Sequence, residues 1–164
     1  MPGIDARPDL PEWNETRAHE AIAPHRSVQG GLLPALHAIQ EIFGFVPGPA
    51  IGVLAHEFNL SRAEVHGVAT FYHDFRHGAP AGRHVLKLCR GEACQAVGAD
   101  ALAASARKQL DLDWHATGTN GEWTLEPVFC LGLCACGPSA MIDGELAARL
   151  TPETLRALID ETAK

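Results

Sequence analysis

His84-Val85-Leu86-Lys87-Leu88-Cys89-Arg90-Gly91-Glu92-Ala93-Cys94 decides how this chain is read. Its first half alternates, with Leu86 and Leu88 on one side and Val85 and Lys87 on the other, the period of a half-buried strand. The strand ends on a cysteine. From Cys94 an Ala-rich run continues to Leu110 and reads as a helix. The pattern then repeats in outline. After a polar stretch, 111–121, residues Trp123 to Phe129 form a second strand that runs straight into Cys130-Leu131-Gly132-Leu133-Cys134. Two cysteine pairs thus sit where two strands end.

A thiolate is a soft ligand that suits iron–sulfur clusters, zinc and cuprous copper. Four cysteine thiolates meet the demand of a [2Fe–2S] cluster, two for each iron. The spacing within each pair bears on the choice. Cys89 and Cys94 enclose four residues, as in part of the plant-type ferredoxin run, and Cys130 and Cys134 enclose three. Structural zinc sites more often begin from pairs with two intervening residues. A thioredoxin-type dithiol needs Cys-x-x-Cys, which does not occur here. Spacing therefore favours a [2Fe–2S] cluster on Cys89, Cys94, Cys130 and Cys134, and leaves a zinc site, or reduced or disulfide-linked cysteines, as alternatives. Gly91, Gly132 and Gly137 accompany the pairs, and glycine lets backbone N–H groups approach an anionic centre, or simply makes the turn. Cys136 is the odd thiol, expected to be a small packed residue. Pro138 is expected to stiffen the backbone that follows.

The remainder of the C-terminal half is strand-like and then helical. Ala140 to Ile142 and Leu146 to Ala148 flank Asp143-Gly144-Glu145 as a hairpin with an Asp-Gly turn. Thr151-Pro152 opens a last helix with Leu155, Leu158 and Ile159 inward. The order strand, helix, strand, hairpin, helix is compatible with a thioredoxin-like core. The N-terminal half has a different period. Residues 1–12 carry three prolines and read as a loose tail. Residues 13–27 look helical. Leu32, Leu36, Ile39 and Phe43 recur at helical spacing, with Pro34 in the first turn and Gly44 at the stop. Pro49 opens a helix carrying Ile51, Leu54, Ala55 and Phe58. Ser61 and Glu64 stand as a capping box before Val65, Val68 and Ala69. The Gly/Pro-containing stretch 76–83 is the best linker. The expected fold class is α+β, with an N-terminal helical bundle at 1–79 followed by an α/β domain at 80–164 compatible with a thioredoxin-like core.

Composition sets outer limits. The chain has 164 residues, 46% apolar and 20% charged, with a formal charge of −7. That is an ordinary globular composition, and its acidity argues against nucleic acid or an anionic membrane as partner. No apolar run reaches the length of a membrane span, so no direct membrane insertion is expected. The N-terminus lacks the apolar region of a signal peptide, so a cytoplasmic location is expected, where structural disulfides are rare. Five cysteines there point to metal or redox chemistry. His66, His73, His77 and His84 are expected at the surface or in the core, because four cysteines already fill the site. In Phe71-Tyr72-His73-Asp74-Phe75, Phe71 is expected to pack the helical bundle against the second domain, and His73 and Asp74 to meet a partner. No Gly-x-Gly-x-x-Gly follows a strand, and no nucleophile–base motif is present, so no catalytic residue is assigned.

Beyond these residues, the chain resembles the thioredoxin-like [2Fe–2S] subunit of respiratory complex I, the 24 kDa type. That family also serves bidirectional hydrogenases and NAD-dependent formate dehydrogenases. The likeness is carried by Leu33-Pro34-Ala35-Leu36-His37-Ala38-Ile39-Gln40, by Leu60-Ser61-Arg62-Ala63-Glu64-Val65-His66-Gly67-Val68-Ala69-Thr70-Phe71-Tyr72, and by all four cysteines. His73-Asp74-Phe75-Arg76 and the added Cys136 look most like the gamma subunit of a molybdenum-containing, NAD-dependent formate dehydrogenase. The resemblance implies an electron-transfer subunit of an NAD-dependent oxidoreductase. It would sit beside an FMN/NAD-binding subunit in a hetero-oligomer, with FMN, NAD and the molybdenum cofactor all on partner subunits. The equivalent subunit of complex I or of an NAD-linked hydrogenase is the alternative within the family. A zinc-stabilised interaction module is the alternative from another class.

Overall fold

The computed structural model describes residues 10–164. The proline-rich tail expected over 1–12 thus lies, up to residue 9, outside the described residues. The described residues fold as two units, 10–80 and 81–164.

The first unit is helical. Its elements are α1 (Glu15–Ile22), extended by a 3-10 turn at Ala23–His25, then α2 (Leu32–Phe43), α3 (Gly48–Glu57) and α4 (Arg62–Phe71). Each boundary has a local cause. Asn14 accepts from the Arg17 N–H at the start of α1. Pro49 lies in the first turn of α3, where its missing N–H costs nothing. Ser61 and Glu64 close the capping box of α4, with Ser61 N donating to the Glu64 carboxylate at 2.8 Å and Glu64 N to Ser61 Oγ at 3.2 Å. The helices bury one apolar face each around Ile22, Leu36, Ile39, Phe43, Leu54 and Val65. Ile51, Phe58 and Val68, expected inside, are half-buried at the edge of that core.

The segment after α4 is pinned rather than free. The Gln40 side-chain amide donates to Asp74 O at 2.8 Å and accepts from Arg76 N at 2.7 Å. Val46 pairs with His77 in an isolated bridge. Gly82 N and Arg83 N are likewise bonded within the second unit, to Thr124 Oγ1 and Gly121 O. The linker expected at 76–83 is therefore shorter than its composition suggests, because backbone bonding claims both of its ends. Phe75 is buried, but Phe71, expected to be packed, is 72% exposed. Two residues past the buried Ala69, it lies on the opposite side of α4, where it meets Tyr72 edge-on at 5.1 Å.

Ser61→Ala is expected to cost the helical unit about 1 kcal/mol, read from urea unfolding. The Glu64 carboxyl is held below its usual range, first by the Ser61 N–H and then by the Ser61 hydroxyl. A carboxyl depressed in the fold stabilises it above the unfolded value, about 4.3, and loses that contribution as pH falls through the folded value. The stability gap between wild type and Glu64→Gln should therefore shrink as pH falls below the unfolded value and through the lower, folded one.

The second unit is a five-stranded sheet with helices. Its strands are β1 (His84–Cys89), β2 (Ala116–Thr117), β3 (Trp123–Val128), β4 (Ala140–Ile142) and β5 (Glu145–Ala147), in the spatial order β2-β3-β1-β4-β5. β1 and β3 are parallel and every other pair is antiparallel. A parallel pair needs a crossover, supplied here by α5 (Glu92–Ala96) and α6 (Ala99–Leu110). Leu86, Leu88, Leu125 and Ile142 from the sheet meet Leu102 and Ala106 of α6, with Leu155 and Ile159 of α7 (Pro152–Thr162), in one core.

Two features depart from the sequence reading. The single helix expected from Cys94 to Leu110 is two, broken at Gly98, which takes a φ of 105° that only glycine adopts without strain. The polar stretch 111–121 contains the edge strand β2, too short for periodicity to reveal. The hairpin forms one residue tighter than expected, with Glu145 already in β5 and Asp143 and Gly144 both at positive φ, the geometry of a type I′ turn. Asp143 has a second role. Its carboxylate accepts from Val85 N and lies 2.7 Å from His84 Nδ1, and the His84 ring packs on Trp123. His84 is accordingly a structural histidine.

Candidate iron–sulfur site

Parallel pairing decides where the cysteines meet. Because β1 and β3 run in the same direction with Cys89 opposite Val128, both strands finish at one edge of the sheet. Cys89 is the last residue of β1, and Cys130 follows β3 by two residues. Arg90 N donates to Val128 O at 2.6 Å, carrying the pairing one step past the strand, and the Gln95 side chain returns to Arg90 O at 2.6 Å. This closes the loop that carries the first pair.

The two pairs differ in surroundings. Cys89 and Cys94 are buried, packed with Ala99, Val128 and Leu131. Cys130 and Cys134 are exposed, with their sulfurs 3.6 Å apart. All five cysteines are free thiols. Backbone donors point at sulfur on both sides: Gly132 N at 3.3 Å from Cys130 Sγ, and the N–H groups of Gly91 and Leu131 toward Cys89. Leu131 belongs to the second loop, so that donation ties the loops together. At Gly137 the need for glycine is steric, since a Cβ there would lie 3.2 Å from Cys94 Sγ and 3.0 Å from Val97 Cγ2. The Gly137-Pro138 peptide is cis. Cys136 lies in the 3-10 turn Cys134–Cys136, half-buried, and its carbonyl accepts from Arg149 N at 2.7 Å.

The thiols sense one another. Burial pushes the Cys89 thiol up, but the Gly91 and Leu131 N–H groups, with Cys94 and Ser139, outweigh it and hold Cys89 below the ordinary thiol range. Cys134 is raised, chiefly by its hydrogen bond with Cys130 and by the charges of Cys130, Cys94 and Cys89. Thiolates gathered this closely repel, and bound metal is what removes that cost and the remaining protons. Among the described residues, no three His, Cys, Asp or Glu side chains gather as around a single ion. Two adjoining pairs suit a two-iron group, each pair serving one iron, so the donor set fits a [2Fe–2S] cluster.

One polar side chain beside the thiols escaped the sequence reading. Ser139 is fully buried and its hydroxyl lies 3.6 Å from Cys94 Sγ. The signal was its place one residue before the hairpin, but only the pairing of β1 with β4 sets it opposite Cys89.

The family model of thioredoxin-like [2Fe–2S] ferredoxins matches residues 18–163. A subunit of the NADH-quinone oxidoreductase of Escherichia coli (strain K12) is 38% identical over 78% of this chain and 76% of its own length. The subunit of the same name from Pseudomonas aeruginosa is 33% identical, over 92% of this chain and 90% of its own length. The HndA subunit of the NADP-reducing hydrogenase of Solidesulfovibrio fructosivorans is 29% identical over 81% of this chain and 77% of its own. Among solved structures, an NAD+-reducing [NiFe]-hydrogenase in the air-oxidized state superposes with a TM-score of 0.67 at 25% identity. It covers 80% of this chain, which spans only 22% of that hydrogenase chain.

Proposed function

This chain belongs to the thioredoxin-like [2Fe–2S] ferredoxin family, and on that premise we propose that it is the electron-transfer subunit of an NAD-linked multisubunit oxidoreductase, holding one cluster on Cys89, Cys94, Cys130 and Cys134. The observation that carries this reading is the convergence of two thiol pairs from the ends of neighbouring parallel strands. A [2Fe–2S] cluster supplies one-electron exchange. The protein's part is to hold and sort. The buried thiols of Cys89 and Cys94 keep water from one side of the site. The N–H groups of Gly91 and Leu131 favour the charged form of Cys89, and Gly132 N holds the Cys130 sulfur in place. The exposed thiols of Cys130 and Cys134 leave the other side open to a partner.

That partner is an FMN/NAD-binding subunit. Reduction of NAD takes a hydride, and a flavin joins two-electron to one-electron chemistry. Phe129, 74% exposed next to Cys130, supports docking at this edge, since aromatic side chains anchor interfaces. For the parent enzyme, Phe71-Tyr72-His73-Asp74-Phe75-Arg76 and Cys136 support an NAD-dependent formate dehydrogenase. The relatives' names support the corresponding subunit of NADH-quinone oxidoreductase or of an NAD-linked hydrogenase. Among the described residues no helix is long and apolar enough to cross a membrane. A cluster held on reduced cysteines fits a cytoplasmic site of action.

The chain alone is expected neither to oxidise formate nor to reduce NAD. Purified from its native source, it should bring with it the flavin subunit, and its EPR signal should appear on adding NADH or the parent enzyme's substrate. Molybdenum and formate-driven NAD reduction in that complex would identify the formate dehydrogenase, and hydrogen or quinone activity its alternatives. A colourless chain with stoichiometric zinc would overturn the proposal.

A further inference from the structure

Cys89 ends β1, and β4 runs antiparallel to it with Leu88 opposite Ala140. One step further along this register, Cys89 N donates to Ser139 O at 3.0 Å, which makes Ser139 the cross-strand neighbour of Cys89. Directly opposed residues of an antiparallel pair project to the same face. The Ser139 side chain therefore stands on the face that carries the Cys89 thiol. Its hydroxyl is 3.6 Å from Cys94 Sγ and also reaches the Cys89 sulfur. Among the described residues, Ser139 and Thr124 are the buried polar side chains, both with no exposed surface. Thr124 is satisfied by Gly82 N and Thr117 Oγ1, inside the sheet. Ser139 faces sulfur instead.

We propose that Ser139 is a positioning residue of the cluster site, whose hydroxyl donates its one proton to the sulfur of Cys94, beside Cys89, and thereby raises the cluster's reduction potential. The inference rests on the function proposed above and goes beyond its ligand assignment. In the free chain either atom of the Ser139–Cys94 contact can donate. Once the cysteines bind iron they are thiolates, which only accept, so the proton must come from oxygen. No water competes at a fully buried hydroxyl. A donor aimed at cluster sulfur stabilises the more negative, reduced form, and such hydrogen bonds are among the factors that set cluster potentials. The exposed pair has a backbone donor at Gly132 that no side-chain change can remove. Ser139 is the adjustable donor, on the buried side where a hydrogen bond is felt most strongly.

The test is a redox titration of the iron-loaded chain followed by EPR, with iron and sulfide measured on every sample. Ser139→Ala removes the hydroxyl with almost no change in volume. At a fixed applied potential its reduced-to-oxidised ratio should fall by up to about tenfold, equivalent to about 59 mV for one electron. Ser139→Thr should return the ratio toward wild type. An Ala variant with full iron and an unchanged midpoint overturns the proposal. Should the Ala variant lose its iron, Ser139→Thr and Ser139→Val decide. They share shape and differ in the hydroxyl, so a higher midpoint for Thr supports the proposal and equal midpoints overturn it. A wild-type chain that takes up no iron and sulfide fails at an earlier point, and removes the cluster reading together with this one.

Discussion

Cys89→Ser, Cys94→Ser, Cys130→Ser and Cys134→Ser are each expected to lose most or all of the visible colour and EPR signal, while Cys136→Ser keeps both. Serine offers a hard oxygen where iron and bridging sulfide favour a soft thiolate. The two pairs should fail differently. At the buried positions the new hydroxyl sits among Ala99, Val128 and Leu131, so incomplete assembly should come with lower thermal stability. At the exposed positions of Cys130 and Cys134 the fold should tolerate the change and the loss should be confined to the cluster. Cys136 is held through its backbone, by Arg149 N on its carbonyl and by its own N–H on Leu133 O, and serine preserves both bonds. Iron and sulfide analysis with EPR checks all five variants. Loss of the cluster in Cys136→Ser alongside a normal spectrum in Cys134→Ser would overturn the ligand assignment.

A fragment of residues 80–164 is expected to take up iron and sulfide to the level of the full chain, yet to bind the flavin subunit far more weakly. All four cysteines, the donors at Gly91, Leu131 and Gly132, and the Ser139 hydroxyl lie within it. Its core is also its own, built from Leu86, Leu88, Leu102, Leu125 and Leu155. So short a chain buries a modest core, and bound metal contributes folding free energy directly. Removing iron from the fragment should therefore lower its melting temperature. Removing iron from the full chain should leave the unfolding of the helical unit, followed through Trp13 against Phe43, nearly unmoved. A fragment that binds the partner at full strength and holds no iron would refute this division of labour.

Sequence by itself determined the elements and the ligand types. Period two over 84–89, the Asp143-Gly144 turn, and the caps at Ser61 and Thr151 are local. Each is set by side-chain alternation or by a hydrogen bond spanning three residues, and each appears in the fold. The spacing of the cysteine pairs is local too, and so the donor set was legible before any tertiary contact. What needed the tertiary structure is everything set by strand order. That β1 lies between β3 and β4 follows from the packing of a whole sheet against α6 and α7, which no window of sequence contains. This order brings two loops, separated by some forty residues of chain, to one sheet edge. It buries one thiol pair while leaving the other open, and it sets Ser139 across from Cys89. The outward turn of Phe71 has the same origin. An apolar residue at a helix end obeys the helix period, but the direction of the core is fixed by the other helices.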